Sequence, residues 1–111
     1  MSEPQLTPYY LILLKTNPNY TPPEEGTKEL LNIHLAYGQK LFEQGNLLMS
    51  GPTKAPESEL LEGIYIMRAH SLEEAQELAN NDPAVKARAL VPIVCTWYLA
   101  ENTVKEWAAT L

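Results

Sequence analysis

The sequence predicts an α+β domain, a ferredoxin-like β-α-β-β-α-β plait with an added C-terminal helix. Three observations predict it. Short apolar runs of strand length alternate with longer stretches of helical periodicity in that order. Capping and stop signals bracket the helical stretches. The length, 111 residues with 45% apolar and 20% charged, suits one core and leaves no room for a second domain.

The first strand is read at Tyr9 to Leu14, a continuous apolar run between Pro8 and Asn17-Pro18, and so a central strand buried on both faces. A Pro- and Asn-rich loop follows through Pro22-Pro23 to Gly26. The longest helix is expected from Glu24 to Gln44, ended by Gly45 as a left-handed cap. Leu47-Leu48-Met49 reads as a short strand stopped by Gly51-Pro52, and Thr53 to Glu59 as a polar hairpin loop. Gly63 to Met67 is the third strand.

Ser71-Leu72-Glu73-Glu74 is a capping box opening a second helix that stops near Asn80. Asp82-Pro83 suits a short helical turn, with Asp at the cap and Pro at the first position. Leu90 to Leu99 is the fourth strand, and Pro92 within it points to a sheet edge. Thr103 to Glu106 resembles another capping box, opening a tail helix with Val104, Trp107, Ala108 and Leu111 on one face. The whole is read as a single domain over 1–111, with a core at about 9–98 and a tail at 99–111.

The plait places the first and third strands centrally and the fourth at an edge. Two helices cover one face of such a sheet, yet strands one, three and four offer apolar side chains to both faces. A second copy of the sheet is the simplest cover. A homodimer is therefore expected, with an apolar interface of about 2,000 Å² or more.

Fourteen acidic and eight basic residues give a net charge of −6. The basic residues are scattered, which argues against nucleic acid as a partner. No segment reaches the roughly 20 apolar residues of a membrane-spanning helix. The leader carries Glu3 and no basic residue, unlike a signal peptide. The one cysteine, Cys95, excludes an internal disulfide and suits a reducing compartment, so a cytoplasmic protein is expected. Cys95 is read as a core residue of its apolar strand. The Asn19-Tyr20-Thr21 sequon is read as accidental.

His34 is the most informative residue. Helical spacing groups it with Leu30, Leu31, Leu35, Gly38, Leu41 and Phe42 on one arc, opposite Glu29, Asn32, Gln39, Lys40 and Glu43. It therefore points toward the core, and Gly38 one turn later leaves space beside it. Asp82 is the only aspartate. Its plain reading is a helix cap, as that of His34 is a satisfied core histidine. The functional reading pairs the two, the carboxylate holding one ring nitrogen so that the other moves a proton. Capping and pairing are compatible, since a carboxylate has two oxygens.

Tyr10, Tyr37, Tyr65 and Arg68 are candidates for a pocket wall. His70 reads as a solvated loop residue. Spacing among His34, His70 and Cys95 matches no zinc signature. There is no phosphate loop or nucleophile elbow, so no cofactor is expected.

The stretches Asn32-Ile33-His34-Leu35, Phe42 to Leu48, Met49-Ser50-Gly51-Pro52, Ser71 to Ala75 and Asn81-Asp82-Pro83 together resemble the YciI-like (YCII-related) family. The likeness runs from about Tyr9 to Tyr98. It implies a dimeric α+β barrel, two plaits packed sheet to sheet. It also implies a His–Asp pair as the active site, which falls here on His34 and Asp82, and a pocket bordered by the Gly51-Pro52 turn. Relatives include a dehydrochlorinase of a chlorinated aromatic, and the superfamily resembles muconolactone isomerase. Leu31 stands where many members carry arginine, and Ala84 where an aromatic often follows Asp-Pro, so the substrate does not carry over.

The function expected is thus a cofactor-free lyase or isomerase on a small cyclic or aromatic metabolite. His34 serves as base and acid, Asp82 orients it, and Gly51, Pro52, Tyr10 and Tyr37 border the substrate. The alternative is a non-catalytic homodimeric module that binds a small molecule.

Overall fold

In the computed structural model, which describes residues 5–23 and 25–111, the chain runs β1 (Leu6–Thr16), α1 (Thr27–Glu43), β2 (Leu47–Pro52), a short 3₁₀ turn (Glu57–Glu59), β3 (Leu61–Met67), α2 (Leu72–Asn80), α3 (Pro83–Lys86), β4 (Leu90–Ala100) and α4 (Glu101–Ala109). The strands form one antiparallel sheet in the order β2-β3-β1-β4. This is the expected plait, with β1 and β3 central.

Strand ends differ from the apolar runs because hydrogen-bonded partners, not hydropathy, set where a strand stops. β1 and β4 pair continuously from Leu6 opposite Ala100 to Thr16 opposite Leu90. β1 therefore outruns its apolar segment at both ends. β2 continues past Met49 to Pro52, which faces Gly63. Pro52 and Pro92 both lie on edge strands, where a missing backbone N–H is tolerated.

The first helix begins later than expected. Gly26 precedes it at φ +97°, a left-handed conformation that glycine adopts readily, and helical geometry starts at Thr27. The expected start at Glu24 lies outside the described residues. At the other end Gly45 takes φ +84° and donates its N–H to the Phe42 carbonyl at 3.0 Å, as a left-handed cap should. The Ser71 capping serine accepts from the Glu74 N–H at 3.1 Å. The Thr103 box is not realised: α4 starts at Glu101 with no side-chain cap. The reason is that β4 runs directly into it, and Thr7 on β1 hydrogen-bonds Glu101 across that junction.

Side chains alternate across the sheet. Tyr10, Ile12, Leu14, Leu47, Tyr65 and Met67 share the face on which Leu41 of α1 and Ala75 and Ala79 of α2 close the core. On the opposite face lie Leu11, Leu13, Ile64 and Ile66, only half-buried, and Val91, Ile93 and Trp97, which are exposed. Ile93 is 43% exposed. Cys95 shares this face and is exposed rather than core, because its register position opposite Leu11 aims it away from the helices. Among the described residues no helix is long and apolar enough to cross a membrane.

Candidate active site

The arc of α1 divides in two. Leu41 is buried, whereas Leu31, Leu35 and Phe42, expected with it in the core, are exposed and line a cleft whose wall also includes residues of β2. His34 sits at the boundary, its side chain 15% exposed. The helix thus has a core-facing edge and a cleft-facing edge, with the imidazole between them.

Asp82 arrives from a different element. Its carboxylate caps α3, accepting the Ala84 N–H at 2.8 Å, and Pro83 supplies the first helical residue. That cap holds the carboxylate facing α1, where the Asp82 oxygens lie 2.7 Å and 2.9 Å from His34 Nδ1. The aspartate is 1% exposed. The cap on Ala84 and the contact with His34 therefore coexist in one carboxylate. Its charge is satisfied by one backbone donor and one imidazole N–H, as a buried carboxylate requires.

With Nδ1–H donated to Asp82, the neutral imidazole leaves Nε2 as its acceptor. The Tyr65 hydroxyl donates to Nε2 at 3.3 Å, a long hydrogen bond. The two rings lie nearly parallel, 12° between planes and 6.2 Å between centroids. Burial, and secondarily the charge of Asp82, push the Tyr65 phenol well above its ordinary value. Tyr65 is therefore a proton donor at neutral pH, not a phenolate base.

This has a consequence for stability. The unfolded chain sheds this proton near the ordinary phenol value of 10.0, whereas the folded chain retains it. The folded state then binds more protons, so its stability falls as pH rises above about 10. Urea titrations from about pH 9 to about pH 11 should show wild type losing stability relative to Tyr65→Phe. Parallel curves would show that Tyr65 is not held protonated by the fold.

His34 and Tyr65 line a cleft of about 810 Å³ between α1 and β2, within the usual range for small-molecule sites. Gly51 and Pro52 form part of its wall, as do Leu31, Leu35, Gly38 and Phe42. Tyr10 and Tyr37 stand elsewhere. Tyr10 is buried in the core, and Tyr37 donates its hydroxyl to the Leu78 carbonyl at 2.6 Å, tying α1 to α2. Burial, then Asp82, raise the Tyr37 phenol. Arg68 lies 5.9 Å over the Tyr9 ring, outside the cleft wall. His70 is exposed, with Nδ1 2.8 Å from a Glu74 oxygen.

The profile of the YCII-related domain matches residues 9–97. The chain belongs to the YCII-related domain family. Among solved structures, it is similar to the 5-chloro-2-hydroxyhydroquinone dehydrochlorinase of Burkholderia phenoliruptrix AC1100, solved with 2,5-dihydroxybenzoquinone. The identity is 26% and the TM-score 0.55, covering 80% of this chain and 92% of that one. It is also similar to the hydroxynitrile lyase of Passiflora edulis, at 12% identity and a TM-score of 0.49, covering 89% of this chain and 97% of that one. Comparison with curated proteins finds no match.

The family match ends at residue 97, so α4 lies beyond it. Tyr65 was one of several tyrosines the sequence offered for a pocket wall. Strand parity, shared with the core residue Met67, is the signal that places it on the helix side. Its position against Nε2 depends on how α1 packs over the sheet, which no local pattern encodes.

Proposed function

We propose that this YCII-related chain is a small-molecule enzyme of the lyase or isomerase type. It works as a cytoplasmic homodimer on a small cyclic or aromatic substrate. One observation carries the reading: the imidazole of His34, held at Nδ1 by a buried carboxylate and meeting only the long Tyr65 contact at Nε2, lines a substrate-sized cleft. His34 takes a proton at Nε2 from a hydroxyl or an activated carbon of the substrate. Asp82 is a positioning residue that selects the reactive tautomer and stabilises the imidazolium as an ion pair. The Tyr65 hydroxyl turns from Nε2 to the oxygen on which charge develops. Gly51 and Pro52 border the substrate.

For an elimination of the dehydrochlorinase kind, the substrate proton passes to Nε2 and the electron pair it leaves behind expels chloride, a net loss of HCl. A positioned imidazole is worth about 10²–10⁴ in rate, enough for an activated phenol or carbon acid. The homodimer rests on the open apolar sheet face and on the family resemblance. The cytoplasmic location rests on the single cysteine.

The test is chloride release from 5-chloro-2-hydroxyhydroquinone. Wild type should exceed His34→Gln by about a hundredfold or more, since glutamine keeps polarity but cannot carry the proton. Equal rates for the two proteins would overturn the reading.

A further inference from the structure

The cleft wall has a composition that the proton-transfer reading does not use. Among the described residues lining it there is no lysine or arginine. The one carboxylate among those wall residues is Glu62, exposed and hydrogen-bonded by the Thr16 hydroxyl, and Asp82 lies directly behind His34. An anionic ligand would leave water for a largely apolar wall whose described residues include no lysine or arginine to pair it, with the buried Asp82 carboxylate behind His34, which is costly. A neutral ligand meets no such cost. When His34 takes its proton, the charges that appear are an ion pair, so the net charge of the cleft is unchanged.

The shape adds a second constraint. A cavity of about 150 Å³ suffices for benzene, whereas this cleft holds about 810 Å³. His34, Gly38 and Phe42 follow one another at four-residue spacing along a single ridge of α1. Gly38 contributes no side chain there; a Cβ at that position would be in ordinary contact with the Tyr65 hydroxyl at 3.8 Å and the Leu47 side chain at 4.0 Å. The cleft wall runs from the imidazole past Gly38 to Phe42 and includes Leu35 and Leu48. These apolar walls are exposed or half-exposed in the free chain, so an apolar group laid along them removes surface from water on both partners.

We infer that the cleft selects an uncharged ligand with a hydroxylated ring at His34 and an apolar appendage running past Gly38 toward Phe42. This rests on the reading of His34 as the proton-accepting group at the ligand end of the cleft.

The experiment compares two probe series on the full chain: 4-alkylphenols, neutral at pH 7, and the matching 4-alkylbenzoates, which are anions. Binding is followed by the NMR signals of the His34 ring, so no turnover is needed. Phenol affinity should rise about threefold to fourfold per methylene. Each benzoate should bind at least tenfold more weakly than its phenol. Phe42→Ser, at an exposed position, should flatten the chain-length gain, and Leu31→Arg should narrow or reverse the preference against benzoate. Benzoates that bind as well as phenols, phenol affinity indifferent to chain length, or no binding in either series would each overturn the inference. A phenol that binds but undergoes no His34-dependent chemistry would overturn the enzymatic reading and leave the ligand class standing.

Discussion

Asp82→Ala is expected to lower the unfolding free energy by about 3 kcal/mol, a large share of the 5–15 kcal/mol that holds a domain of this size. The side chain is 1% exposed and satisfies two groups at once, the Ala84 N–H and His34 Nδ1. Removing it leaves an orphaned helix donor, worth about 1 kcal/mol as a cap. It also leaves an unpaired imidazole nitrogen beside a new void. Breaking a buried pair from one side typically costs 3–5 kcal/mol. The low end applies because His34 keeps 15% exposure and water reaches its ring.

Asp82→Asn separates the two duties. The amide oxygen still caps Ala84, so the cost falls to about 1 kcal/mol. The amide NH₂ can then donate to Nδ1, which moves the ring proton to Nε2. Urea unfolding reads the first effect, and long-range ¹H–¹⁵N spectra of the imidazole read the second. A purely structural aspartate would leave the tautomer untouched. An Asp82→Ala variant that lost no more than a cap would show that the pair contributes nothing to stability.

Ile93→Arg should weaken self-association by about a thousandfold or more. The residue is 43% exposed on the open sheet face, so the folded chain tolerates a longer, charged side chain there. In a two-fold interface the same position occurs twice, and each buried, unpaired guanidinium costs several kcal/mol. Sedimentation at micromolar concentration should then show a wild-type dimer and a variant of 12.5 kDa. A wild type that sediments only as the monomer would remove the dimer from the proposed function. Cys95 offers a parallel readout: exposed in the single chain, it should react slowly with a thiol reagent in wild type and fast in Ile93→Arg.

Much of the architecture is legible in residue order because its determinants are local. Ser71, Asp82 and Gly45 each act within a few residues, through a side-chain oxygen on a helix N–H or a backbone φ open to glycine. The strand at β1 shows itself by its apolar run, and Pro92 marks the edge that β4 occupies. Where local signals misled, a partner had overruled them. β4 lengthened β1 by pairing with its polar ends, and the direct passage from β4 to α4 displaced the Thr103 cap.

The candidate site divides along the same line. Periodicity alone set His34 on the apolar arc of α1, and Asp-Pro alone made Asp82 a cap. Which arc residues would be core and which cleft was undetermined, because a helix face does not know what lies opposite it. The packing of α1 against α3 brings the Asp82 oxygens to 2.7 Å and 2.9 Å from Nδ1, across 48 residues of chain. The packing of α1 over the sheet brings Tyr65 of β3 to Nε2, and Leu31, Leu35 and Phe42 are left exposed along the cleft. The sequence by itself determined the elements, their order and the residue types available to the site. Only the tertiary structure decided which of them meet, because distances between elements depend on packing that no short stretch of chain contains.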